Sequence, residues 1–107
     1  MNNRPVPELQ TDPEFDELIQ PREEKYLEQL EENIFDHGCL EPVCVWNGII
    51  LDGRLRYKIC TKWDIHFNIQ RITFESRDKA ASFICHEQLK RTDLTGDSKN
   101  YLIGRLF

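Results

Sequence analysis

Apolar residues between positions 26 and 35 recur at three- and four-residue steps: Tyr26, Leu27, Leu30, Ile34 and Phe35. This is the stripe of an amphipathic helix. Pro21 suits its first turn, Glu23 and Glu24 complement its positive end, and Gly38 provides the stop. The acidic positions Glu28, Glu31, Glu32 and Asp36 fall on the solvated face. Ahead of it, Phe15, Leu18 and Ile19 form a small apolar cluster. Residues 1–17, with Pro5, Pro7 and Pro13, read as an extended lead-in with a short strand near Val6–Leu9.

The pattern then shortens. Val43–Trp46 and Ile49–Leu51 are compact apolar runs joined by Asn47-Gly48, a strong two-residue hairpin signal. Gly53 ends the second run, and a helix from about Arg54 to Lys62 is expected to bury Leu55, Ile59 and Cys60. A third strand is predicted over Phe67–Phe74, with a bulge or strand end where the alternation slips at Gln70-Arg71. Ser76 caps a helix carrying Ala80, Ala81, Phe83, Ile84 and Leu89, and Thr95 caps a last helix through Tyr101, Leu102, Ile103 and Leu106. That helix meets Phe107 uncapped, as expected of the start of a longer C-terminal helical segment. Interleaved helices and strands with a tight hairpin predict an α+β fold: a small mixed sheet packed by about four helices.

The 107 residues suit one domain, with no apolar run near the ~20 residues that span a bilayer and no secretory signal. Residues 1–41 hold three Lys/Arg against twelve Asp/Glu, a net −9, whereas residues 42–107 hold eleven against seven, a net +4. The second part tolerates a phosphate-bearing ligand but lacks the basic patch of a self-sufficient DNA-binding domain. Cys39, Cys44, Cys60 and Cys85 form no Cys-x-x-Cys pair and sit among apolar neighbours, which predicts buried, reduced thiols in a cytoplasmic protein. Tyr57 and Trp63 read as core or pocket wall. His37 and His66 lie near turns, and His86 adjoins Glu87.

The candidate chemistry lies at Leu51-Asp52-Gly53-Arg54-Leu55-Arg56-Tyr57. A strand runs through glycine into a helix start, whose unpaired N–H groups favour an anion, and Arg54 or Arg56 can fork onto phosphate oxygens. Asp52 either caps the helix or orients one of these arginines, with the cap the simpler role. Glu87, Asp52 and Asp93 are the one carboxylate trio that two-metal cleavage could use.

Three segments in order resemble the N-terminal domain of the ParB family, within the ParB/sulfiredoxin superfamily also labelled nuclease-like: Gly38–Val43, Leu51–Tyr57 and Glu87–Leu94. Leu18-Ile19-Gln20-Pro21 and Tyr101-Leu102-Ile103-Gly104 extend the resemblance over residues 18–107. It implies a ParB N-terminal/sulfiredoxin-like core over residues 18–94 that binds CTP or a related nucleotide with Mg²⁺. Gly38, Leu40 and Pro42 would line base and sugar. Gly53, Arg54 and Arg56 would grip the phosphates, Lys90 and Arg91 would close the site, and Glu87 with Gln88 would hold the metal. Arg54 and Leu55 stand where the family turn carries Glu and Arg, so binding with weak or absent hydrolysis is implied. Arg54 also stands where sulfiredoxins place their cysteine, which makes that chemistry improbable.

The implied setting is a DNA-associated partition or transcription-regulating protein of a bacterium, plasmid or other mobile element. DNA contact would come through a further C-terminal region, with a possible homodimer and no membrane. A metal-dependent nuclease or nucleotide hydrolase in the same pocket, and a degenerate protein-interaction domain, are the alternatives.

Overall fold

The structure, a computed structural model, describes residues 9–91 and 93–106. Eight elements follow in order: α1 (Pro13–Asp16), α2 (Glu24–His37), β1 (Val43–Trp46), β2 (Ile49–Asp52), α3 (Arg54–Trp63), β3 (Ile69–Arg71), α4 (Arg77–Leu89) and α5 (Gly96–Leu106). The three strands form one mixed sheet in the order β2-β1-β3. The hairpin pair is antiparallel and β1 runs parallel to β3. The α+β expectation holds. Among the described residues no helix is long and apolar enough to cross a membrane.

Strand alternation sends neighbouring residues to opposite faces, and here both faces are covered. Leu51 joins Phe15, Leu18, Ala80, Ile84, Cys85 and Leu102 in a core beneath α1, α4 and α5. Val43, Val45 and Ile50 point the other way, against Tyr57 and Phe67. A third cluster, Ile34, Cys39, Ile59 and Cys60, fastens α2 to α3. This explains why the two hairpin strands read as unbroken apolar runs rather than as alternating ones. All four cysteines are buried and free.

Several boundaries differ from the sequence expectation. The lead-in is not wholly extended. Asp12 accepts from the amides of Glu14 (3.0 Å) and Phe15 (3.3 Å) and, with Pro13 behind it, starts the short α1. Of the Val6–Leu9 strand, Val6 to Glu8 lie outside the described residues. The bridge that forms is one residue later, Gln10 to Ile49. Helix α2 begins at Glu24, so Pro21 precedes it rather than filling its first turn.

Strand β3 is three residues long instead of eight, because Ile72 leaves the ladder after a last bond to the Val45 carbonyl (2.9 Å) and Phe74 turns into the core beside Trp46 and Phe83. The register irregularity sits in the hairpin, between Cys44 and Val45. Leu55 is half-buried, lining the groove between α2 and α3, and Trp63 is exposed. Gly38, Ser76 and Thr95 act as helix stop and caps as the sequence predicts.

Candidate functional site

Strand β2 delivers its chain to Gly53, which adopts φ +93° and caps α3 through its backbone alone. A side chain is excluded here on two counts. The conformation favours glycine, and a Cβ would lie 2.9 Å from Arg56 Nη2 and 3.2 Å from Val43 Cα. No side chain caps α3, so its first amides carry the unshared positive end of the helix toward the turn.

Arg56 is the hub. Its Nη2 donates to the Pro42 carbonyl (2.9 Å) and to Asp52 Oδ2 (3.4 Å), and its Nη1 lies 3.4 Å from Glu41 Oε2. The side chain is 17% exposed, and its Nε is buried without an acceptor. Asp52 therefore orients Arg56 and makes no cap bond, against the simpler expectation. Two residues earlier, Arg54 pairs with Asp16 of α1 at 2.8 Å.

Three clefts meet at Arg56. The first, about 270 Å³, runs between α2 and the β2–α3 turn and brings together Arg22, Tyr26, Arg54, Arg56, Gln88 and Arg91, with Asp52 the one carboxylate among its lining residues. The second, about 260 Å³, continues along α2 and is lined by Tyr26, Asn33, Gly38, Leu40, Glu41 and Arg56. The third, about 320 Å³, lies on the sheet side against Pro42, Cys44, Asp52, Arg56 and Glu87. Arg54, Arg56, Gln88 and Arg91 thus share one cleft, Gly38 and Leu40 the adjoining one, and Pro42 and Glu87 the third. Gly53 shapes the turn from behind, and Lys90 lines none of the three.

Gln88 and Arg91 of the third segment are committed inward. Arg91, 6% exposed, uses all five of its N–H donors: on Gln20 O (2.7 Å), Gln88 Oε1 (2.7 Å), Pro21 O (3.1 Å), and Asp93 Oδ1 (2.9 Å) and Oδ2 (2.8 Å). That geometry pins the segment before α2 to the end of α4 and leaves no donor for phosphate. The Gln88 oxygen also accepts from the Gln20 amide (3.0 Å), so both its lone pairs are spent. Glu87 holds Lys90 at 2.8 Å, which pushes the Lys90 pKa up.

The pair Glu87–Gln88 does not fit Mg²⁺, since a hard cation needs a free oxygen from each ligand. Among the described residues no three His, Cys, Asp or Glu side chains converge on a metal position. Asp52 and Glu87 share the sheet-side cleft. Asp93 is held elsewhere by Arg91 and Arg22, its pKa lowered to about 2 chiefly by the Arg91 hydrogen bond.

Burial pushes the Cys44 and Cys85 thiols up and that of Cys60 to about 12, which removes the thiolate a reactive cysteine needs. No histidine lines the three clefts. Sequence reasoning missed Arg22, whose guanidinium lies 4.0 Å over the Tyr26 ring. An arginine four residues before an aromatic at a helix start was the available signal.

Among the solved structures that match, two ParB N-domains share this fold. A Pnob8-like ParB-N domain superposes with a TM-score of 0.73 at 20% identity, over 94% of this chain and 41% of that one. A pNOB8-like ParB N-domain gives 0.72 at 21% identity, over 94% and 38%. The chain has the ParB N-domain fold. At this identity the likeness establishes architecture, and the chain spans well under half the length of either structure. No protein-family model and no curated protein matches the sequence. The ParB-N fold accounts for the order of the segments around the site: the loop after α2, the β2–α3 turn and the end of α4 meet at Arg56 and its neighbours.

Proposed function

We propose that this ParB-N domain binds a nucleoside triphosphate of the CTP type, as a module of a DNA-associated partition or regulatory protein. The observation that carries the reading is the first cleft, where Arg22, Arg54 and Arg56 converge beside the uncapped start of α3. Guanidinium forks and helix-end amides are the two devices that hold phosphate oxygens. Each arginine already has a protein carboxylate partner, so binding exchanges those exposed or half-exposed pairs for phosphate. The Gly38–Pro42 loop forms the base and sugar end.

Hydrolysis is weak or absent in this reading. Arg54 occupies the turn position where the resembling family carries Glu, and Asp52 is held by Arg56 rather than aimed at water. In this reading a metal ion enters with the nucleotide rather than through Gln88, whose oxygen is taken by the Gln20 amide and Arg91. With a net charge of −5, these 107 residues leave DNA contact to a further region of the parent protein. A homodimer and a cytoplasmic setting belong to the same reading, the latter supported by the four free thiols.

Titration calorimetry with CTP, UTP and ATP, each with and without Mg²⁺, tests it. Saturable binding that weakens at least tenfold in Arg56→Ala is expected. Absence of heat for the wild-type chain, or unchanged affinity in Arg56→Ala, refutes it. Phosphate release or nicking of plasmid DNA that disappears in Glu87→Gln would favour the enzymatic alternative.

A further inference from the structure

We propose that Asn33 reads the hydrogen-bonding edge of the nucleobase, with Leu40 as the apolar wall of the base subsite. This rests on the nucleotide reading above and assigns a role to Asn33 of α2, a residue that the family resemblance does not name.

The two clefts along α2 are joined, because Tyr26, Leu30 and Arg56 line both. Their remaining linings differ in chemistry. Arg22, Arg54 and Arg91 belong to the first cleft alone, whereas Asn33, Gly38 and Leu40 belong to the second. Positive charge is thus gathered at one end of a continuous groove and apolar and amide groups at the other. Tyr26, Leu30 and Asn33 stand at i, i+4 and i+7, one stripe of the helix. Tyr26 and Asn33 are separated by ~10 Å along the axis, enough to put a base and a phosphate chain at opposite ends.

Asn33 carries the one side-chain amide in the second cleft. Its carbonyl and amino groups make no hydrogen bond with the described residues, while its backbone oxygen lies 3.3 Å from His37 Nδ1. A side-chain amide offers an acceptor and a donor side by side, which matches the paired donor and acceptor on the Watson–Crick edge of a base. Leu40 is 78% exposed at the rim of this cleft, an apolar group that a bound base would remove from water. Glu41, the carboxylate of the same cleft, faces Arg56 at the joint.

The test compares CTP with inorganic triphosphate as calorimetric probes on the full chain. Asn33→Ala should weaken CTP roughly 5- to 20-fold, the range of one bidentate base contact at an exposed site, and leave triphosphate affinity unchanged. Leu40→Ala should weaken CTP less, in the same direction. Both residues are exposed, so both variants should fold, and thermal melting confirms it. CTP affinity within twofold of wild type in Asn33→Ala, or an equal loss for both probes, overturns the assignment. If wild type binds CTP no better than triphosphate, the base subsite falls and the phosphate end stands. If it binds neither, the nucleotide reading itself falls.

Discussion

Replacing Arg91 separates two roles that its position allows, phosphate ligand or structural pin. The side chain is 6% exposed and each of its five N–H donors meets a protein oxygen within 3.1 Å. In Arg91→Ala the Gln20 and Pro21 carbonyls lose their donor and the buried Gln88 oxygen keeps one bond of two. A hydrogen bond from a charged donor contributes ~1.5–3 kcal/mol, but these share one guanidinium, and the first cleft admits water to part of the gap. Asp93 is 42% exposed, so its ion pair adds little beyond this. The combined loss should be about 2–4 kcal/mol, which for a domain of this size lowers Tm by roughly 10–25 °C. Arg91→Lys should recover little of it, since an ammonium cannot reproduce the fork. Thermal unfolding followed by circular dichroism reads the effect. A fall of less than about 3 °C, together with loss of triphosphate binding, would make Arg91 a ligand and refute the pin.

Gly53→Ala should destabilise by about 1–3 kcal/mol, because a left-handed residue gains a Cβ against Arg56 and the Val43 backbone; a denaturant midpoint shift at constant slope would show it. Glu41→Gln should barely change stability, its carboxylate being 78% exposed, yet raise triphosphate affinity about two- to fivefold by releasing Arg56; calorimetry showing weaker binding would contradict this. Acid should destabilise the fold between pH about 4 and 2. Asp93 has a folded pKa near 2 against an ordinary 3.8, so its contribution is complete above the ordinary value and is lost as pH falls through the folded one. Exposure limits that contribution to about 1 kcal/mol, and Asp93→Asn should flatten the decline of Tm with acid correspondingly. An unchanged pH slope in that variant would exclude Asp93 as a source.

Local chemistry made much of the fold legible. Asn47 and Gly48 both have positive φ, as their hairpin requires, and Gly38, Gly53, Ser76 and Thr95 all stand at helix ends. What sequence could not give was set by distant partners. The strand expected through Phe74 ends at Arg71 because a three-aromatic contact of Trp46, Phe74 and Phe83 draws the chain into the core. Helix α1 carried its signal in Asp12-Pro13, which the density of prolines around it masked. The site followed the same division. The β2–α3 turn and its arginines were visible as a motif. That Arg91 is spent on carbonyls some 70 residues earlier, and Gln88 on a main-chain amide, depends on packing that no local pattern encodes. Asn33 on α2, and Arg22 just before it, entered the clefts only because this part of the chain lies along them.

The central claim, an anion-binding turn at the head of α3 in a nucleotide groove, is tested most directly by titrating the isotopically labelled chain with CTP and following its backbone amide resonances. Saturable shifts should appear first at Gly53, Arg54, Leu55 and Arg56, with smaller ones along Gly38–Glu41, and disappear in Arg56→Ala. Shifts confined to α5 or the exposed face of α2, or none at millimolar nucleotide, would contradict it.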